Sequence, residues 1–148
     1  EVELEDLQER KVFRLCDIHL DHIGVLARTL GLSHIVKQVD EAVLFAGAPV
    51  IFAGDFNAEP DGEEFAVMKE RTDYVNVTEG IGITYHGFEP EDEPERIDYV
   101  YIKESQEGYP GIRCTGVKKW EDKEGEVWLS DHYPICVELE FVGDGNQK

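Results

Sequence analysis

The feature that most constrains the fold is the stretch PVIFAGDFNAEPDGEEF, residues 49–65. Its first part, Pro49–Gly54, is a continuous apolar run bounded by Pro and by acids, which predicts a short strand covered on both faces. The run stops on Asp55 and Asn57, polar residues that a buried strand has no structural need to present at its end. Upstream, RKVFRLCDIHL (Arg10–Leu20) alternates through Val12, Phe13, Leu15 and Ile18 and predicts a further strand. Between the two, apolar residues recur at helical spacing from Val25 to Phe45: Leu26, Leu30, Ile35, Val36, Val39, Val43 and Leu44. Gly31 is expected to interrupt or split that helix, and Gly47 and Pro49 to end it.

Beyond the apolar run, Asp61 with Glu64 predicts a capping-box start to a short helix reaching Arg71 and packing Phe65 and Met68. Residues 74–95 are rich in Gly, Pro and acid and predict a surface loop with a short strand inside. RIDYVYI (Arg96–Ile102), IRCTGVKKW (Ile112–Trp120) and YPICVELEF (Tyr133–Phe141) predict strands, EDKEGEVW a turn, and the tail GDGNQK a frayed end. Strand, helix, strand, helix and then several strands is the pattern of an α/β fold, a mixed β-sheet with helices on it, within one domain.

The chain carries 33 Asp and Glu against 14 Lys and Arg, a net charge of −19. Such a surface repels polyphosphate chains, so tight non-specific binding to duplex DNA is disfavoured. Lys118, Lys119 and Trp120 form the one small basic-aromatic patch, read as a solvated strand edge in preference to a substrate contact. Cys16, Cys114 and Cys136 form no CxxC pair; Cys16 and Cys136 read as small buried thiols, and with no signal peptide or membrane-length apolar run a cytoplasmic setting is expected. Glu1 is not an initiator Met, so the sequence reads as a piece of a longer protein.

Strand ends carry the chemistry: His19, Asp21 and His22 in CDIHLDH, Asp55 and Asn57 in GDFN, Asp98 in RIDYVYI, and Asp131 with His132 in SDHYPI. Asp98 lies among Ile97, Val100 and Ile102, where an unpaired carboxylate is costly, and His132 is the cheapest partner for it. An Asp on one ring nitrogen fixes a histidine's tautomer and raises its basicity. Asp131 and Asp55 offer hard oxygen ligands for Mg²⁺ or Mn²⁺, and the Asn57 amide can donate to an oxyanion without like-charge repulsion. Carboxylates, imidazoles and an amide are the parts for metal-assisted hydrolysis of a phosphate ester. His22 and His86 are further candidates to line a substrate, while Asp21 reads as a cap for the next helix, His34 as a half-exposed helical side chain, and Tyr99 and Tyr101 as core. No GxSxG elbow, P-loop or Dx[DN]x[DN]G loop is present, which disfavours serine-hydrolase, nucleotide-loop and EF-hand readings.

HLDH, GDFNAEPD, RIDYVYI and SDHYPI, in that order, resemble the C-terminal half of the endonuclease/exonuclease/phosphatase (DNase I-like) superfamily. The resemblance implies half of a four-layered α/β sandwich. By motif, His19 resembles the histidine that stabilises or protonates the phosphoryl group, Asp55 the acid that positions or deprotonates the attacking water, and Asn57 the amide that contacts the phosphate. Asp98 resembles the acid that orients the last histidine, Asp131 a metal-site acid, and His132 the histidine that engages the scissile phosphate, with Phe56 pointing away into packing. Ile18 stands where the family usually has a small hydroxyl residue. The family's N-terminal half supplies an Asn and the Glu that is the principal Mg²⁺ ligand; only EVELEDLQERK precedes the HLDH strand, where Glu3 and Glu5 are poor substitutes. The resemblance therefore implies half of a phosphoesterase with an apolar face to cover, as a homodimer or by association with the missing half. Two readings stay open: a metal-dependent hydrolase of a phosphorylated small molecule or phosphodiester, or a non-catalytic half-fold acting as a binding or assembly module.

Overall fold

The computed structural model describes residues 1–42, 46–89 and 92–143. In chain order its elements are β1 (Val2–Glu5), β2 (Val12–His19), α1 (Val25–Glu41), β3 (Val50–Asp55), a 3-10 turn (Glu63–Phe65) running into α2 (Ala66–Lys69), β4 (Tyr74–Asn76), β5 (Asp98–Lys103), β6 (Gly111–Lys119), β7 (Lys123–Glu124), β8 (Val127–Trp128) and β9 (Ile135–Val142). The β2–α1–β3 unit pairs its strands in parallel, and β5 runs antiparallel on the far side of β3. With β4 outside β5 and β1 outside β2, these strands make one mixed five-stranded sheet, in the order β1-β2-β3-β5-β4. β6 and β9 form a separate antiparallel pair, and β7 and β8 a small hairpin.

The helices cover one face of the five-stranded sheet. Cys16 and Ile18 of β2, Phe52 of β3, and Tyr99 and Tyr101 of β5 share one buried cluster with Leu32, Val36 and Val39 of α1, Phe65 and Met68. Each such side chain contributes about 1.5–3 kcal/mol by leaving water. Burial pushes the Cys16 thiol up to about 11, so this cysteine is an inert apolar filler; Cys136, expected to be buried as well, is half-buried. Because side chains alternate across a strand, the residues between these, among them Phe13, Leu15, His19 and Asp55, belong to the other face. The Phe13 and Phe141 rings meet edge-on there, with centroids 6.1 Å apart, so the β6–β9 pair lies over that face. Val2 and Leu4 register against Leu15 and Phe13 and carry the face to the exposed edge strand.

Several sequence expectations need correction. β1 was not foreseen, since its run is short and half acidic. α1 is continuous over 17 residues, Gly31 notwithstanding, and ends where Ala42 turns extended, ahead of Gly47 and Pro49. Val43, Leu44 and Phe45, Pro90 and Glu91 of the predicted loop, and tail residues 144–148 lie outside the described residues. Leu26 and Leu30 are 69% and 61% exposed, because the buried row is Arg28, Leu32, Val36 and Val39. Periodicity finds Val36 and Val39 but misses the first half of that row, whose first member is charged. Arg28 is buried with Glu64, its Nε and Nη2 both 2.8 Å from Glu64 Oε1. That same pairing removes the predicted capping box: Glu64 reaches across to α1, and the turn begins on Gly62 without a side-chain cap.

Candidate active site

The site starts from the end of β3. Gly54 has φ +140°, and a Cβ on it would stand 2.0 Å from the Ile18 carbonyl oxygen, so only glycine lets β3 run this close to β2. The next residue, Asp55, registers directly with His19 of β2 on one side and Asp98 of β5 on the other. Directly registered residues point to the same face, so three strands place an imidazole and two carboxylates in one row. His19 Nε2 lies 3.6 Å from Asp55 Oδ2, and the His19 side chain is largely exposed. Facing carboxylates repel, and two features relieve the repulsion. The first is His132, whose Nδ1 lies 2.8 Å from Asp98 Oδ2. Burial above all, with the Asp98 charge adding to it, pushes the Asp55 carboxyl above its ordinary range, and the second relieving feature is the Asn57 backbone N–H, which favours the ionised form.

Asn57 adopts φ +48°, a left-handed conformation that Asn tolerates better than most residues. Its backbone N–H donates to Asp55 Oδ1 at 2.7 Å, and its Nδ2 donates to the Leu20 carbonyl at 2.9 Å and to Asp55 Oδ2 at 3.1 Å. An amide nitrogen has two hydrogens, so the group expected to donate to a phosphate spends one on Leu20 and one on Asp55, and its oxygen has no hydrogen-bond partner among the described residues. Phe56 between them is fully buried against Phe65, Tyr99 and Tyr101, as expected.

The Asp98–His132 pair is held by a residue that sequence reasoning missed. Thr84 is fully buried, and its Oγ1 accepts the backbone N–H groups of Ile97 and Asp98, each at 3.0 Å. The Thr84 carbonyl accepts the Tyr133 N–H at 2.7 Å, tying the segment after His132 to the same point. The neighbouring Tyr85 ring meets the His132 ring edge-on at 5.1 Å. A lone Thr in a Gly-rich loop carries no local signal, because its role depends on where the loop returns.

The other candidates sort by position. Among the described residues, Asp55, Asp98 and His132 bring ligand-type atoms within 4.8 Å of one another; Asp131 is outside this group. The Asp131 backbone oxygen accepts from His86 and Gly87, and its Oδ1 lies 3.4 Å from the Ser130 hydroxyl. His22 is exposed in the turn after β2. Asp21 stabilises that turn, accepting from Ile23 and Gly24 N–H just ahead of α1, and those bonds hold its carboxyl below the usual range. His86 packs against Trp128 and Tyr133, with centroids at 4.6 and 4.5 Å, and does not line the cleft that Asp98 and His132 line. His34 is exposed on α1. Lys119 donates to the Ile83 carbonyl at 2.8 Å, so that end of the basic patch is held in place.

The two carboxylates, with the imidazole beside them, are donors of the type that suit a divalent cation. No helix among the described residues is long and apolar enough to cross a membrane.

Solved structures share this arrangement of strands. A conserved protein of unknown function from Enterococcus faecalis is 24% identical, with a TM-score of 0.75 over 94% of this chain and 54% of its own. A mannosyl-6-phosphatase from Bacteroides thetaiotaomicron is 20% identical, with a TM-score of 0.72 over 93% of this chain and 54% of its own. TDP2 from D. rerio, solved with a single-strand DNA product, is 20% identical, with a TM-score of 0.70 over 93% and 59%. The chain thus spans little more than half the length of these structures. No curated protein matches it. The model of the Endonuclease/Exonuclease/phosphatase family matches residues 6–132, from the turn after β1 to the histidine that closes the Asp98 pair. With the row His19–Asp55–Asp98 and His132 inside that span, the chain belongs to the Endonuclease/Exonuclease/phosphatase family.

Proposed function

We propose that this chain carries the phosphoryl-handling side of a divalent-metal-dependent phosphoesterase. The observation behind this reading is the single row His19–Asp55–Asp98, closed by His132. A carboxylate can only accept, so His132 donates Nδ1–H to Asp98 and keeps Nε2 for the scissile phosphate. Asp55, with its basicity raised by burial and by Asp98, positions the attacking water and takes its proton. His19, exposed beside Asp55, stabilises or protonates a phosphoryl oxygen. Asn57 acts through Asp55, holding both carboxylate oxygens. Asp55 and Asp98, with His132 beside them, are the groups that would hold Mg²⁺ or Mn²⁺, and Asp131 precedes His132 in the chain. When bound, such a cation supplies charge neutralisation at the phosphoryl oxygens and a lower pKa for water.

The substrate is a phosphorylated small molecule or a phosphodiester. The charge of −19 disfavours long polynucleotides, although one structural relative was solved with DNA. The exposed apolar residues Val2 and Leu4, at the edge of the site-bearing face, favour association with a second copy or with the remainder of a family-length fold. That exposure also supports the second reading, a non-catalytic assembly module. Hydrolysis of bis-p-nitrophenyl phosphate separates the two. Turnover stimulated by Mg²⁺ or Mn²⁺ and lost in His132→Ala supports the enzyme; equal background rates in wild type and variant support the module.

A further inference from the structure

The segments that follow β2 and β3 leave the site side by side and are tied to each other twice. At the site, the Leu20 N–H donates to the Asp55 backbone carbonyl at 3.0 Å, and the Leu20 carbonyl accepts from Asn57 Nδ2 at 2.9 Å. One residue further along, the Asp21 carbonyl accepts from Arg28 Nη1 at 3.1 Å. Arg28 Nε and Nη2 both reach Glu64 Oε1, which carries the connection back to the segment after β3. Through the chain between Asn57 and Glu64 these contacts close into one ring, with the Asp55 carboxylate clamped on its rim by Asn57. Gly62 lets the ring close, since a Cβ there would stand 2.3 Å from Glu64 Oε2.

Stability alone does not call for a charged pair at this place. A buried ion pair gains little over apolar side chains of the same volume, because both charges must leave water. Leu32, Val36 and Val39 on the same buried row of α1 show that apolar groups fit this layer. An apolar residue cannot, however, hold a carboxylate and a carbonyl at once. The guanidinium is planar and its donors point in fixed directions, so it sets the Asp21 carbonyl at a fixed place relative to Glu64. The Asp21 carboxylate accepts from Ile23 and Gly24 N–H, so the turn is held as one unit from Leu20 to the start of α1. Arg28 does not line the cleft of Asp98 and His132. We infer that Arg28, held by Glu64, is a positioning residue for Asp55: it fixes the β2–α1 turn, the turn fixes the Leu20 carbonyl, and Leu20 orients the Asn57 amide that clamps the carboxylate. The effect on rate rests on the phosphoesterase reading above; the effect on Asn57 rests on the hydrogen bonds alone.

The test is the double variant Arg28→Met with Glu64→Leu in the full 148-residue chain, which keeps the buried volume and removes the bond to Asp21. Urea unfolding, NMR exchange of the Asn57 side-chain amide, and Mn²⁺-dependent turnover of bis-p-nitrophenyl phosphate are measured on it. The expected result is a urea midpoint close to wild type, Asn57 amide exchange about ten-fold faster, and kcat about ten-fold lower at unchanged KM, the weight of one hydrogen bond to a charged group. The Ile97 N–H, whose acceptor is Thr84, keeps its exchange rate. Arg28→Lys answers the case in which the double variant does not fold. It keeps a cation for Glu64 but replaces the fork by a single ammonium, and the same acceleration at Asn57 is expected. Asn57 exchanging at the wild-type rate in a folded variant overturns the inference. So does equal acceleration at Asn57 and Ile97, the mark of general loosening. Faster exchange at Asn57 with kcat unchanged overturns the link to Asp55. Faster exchange at Asn57 in a chain whose wild type shows no turnover overturns the phosphoesterase reading and leaves Arg28 as the residue that sets the Asn57 clamp.

Discussion

Replacing Thr84 by Val keeps the shape of a fully buried side chain and deletes one acceptor. Its Oγ1 takes the N–H groups of Ile97 and Asp98, each at 3.0 Å, at the point where β5 begins. Valine leaves both donors without that acceptor; the Ile97 bond is buried and costs about 1–3 kcal/mol, the Asp98 bond is part-buried and adds less, so about 2–4 kcal/mol in total. Against a typical domain stability of about 5–15 kcal/mol, that loss is large. Thr84→Ser keeps the oxygen and loses one methyl group, a cost of about 1 kcal/mol. Urea unfolding followed by tryptophan fluorescence gives both values. The His132 Nδ1–H resonance reports separately on whether Asp98 stays in place. The expected order is wild type, Ser, then Val, with the Nδ1–H signal sharp in the first two and broadened in the third. Thr84→Val within about 0.5 kcal/mol of wild type, the ordinary scatter of a neutral substitution, would refute the idea that this oxygen holds the dyad's strand.

Gly54→Ala is expected to prevent folding or to cost more than about 3 kcal/mol, since its Cβ meets the Ile18 carbonyl at 2.0 Å and its φ is +140°; thermal unfolding measures this. Arg28→Ala strands the buried Glu64 carboxylate and is expected to cost about 3–5 kcal/mol in urea unfolding, whereas Arg28→Met with Glu64→Leu recovers most of it. The Asp55 carboxyl is held above its ordinary range in the fold, so its contribution is fully present below the unfolded value of about 4 and is lost as pH rises through the folded value. In EDTA, Asp55→Asn should therefore gain stability over wild type as pH rises from about 3 to 7, and an unchanged melting-temperature difference across that range would contradict the sign.

The fold class was legible in the sequence, and so was the placing of candidate side chains at strand ends. Asp98 in an apolar strand demanded a partner, and cost alone pointed to His132, which lies 2.8 Å away. Asp55 and Asn57 marked a polar strand end, and the register places Asp55 between His19 and Asp98. Legibility failed where a residue's role depends on a distant partner. Arg28 and Glu64 look like surface charges on their own segments, but they bury each other, which turned the helix stripe and dissolved the capping box. Asn57 was read from its type as a phosphate donor, and the left-handed turn at its backbone spends both amide hydrogens inside the protein. Thr84 gave no signal at all, because a loop brings it back to β5 from 13 and 14 residues away.

The central claim is that the ends of β2, β3 and β5, together with His132, form one cation- and phosphoryl-binding centre on a chain with a large excess of acids. The chain's five histidines allow a direct measurement: titrate Mn²⁺ at substoichiometric levels and follow paramagnetic broadening of each imidazole signal. The claim predicts that His19 and His132 broaden first, that His34 on α1 stays sharp, and that Asp55→Asn abolishes the selectivity. Broadening of His34 in step with His132, unaffected by Asp55→Asn, would mean that the cation reads only the net charge of −19, and the proposed centre would be contradicted.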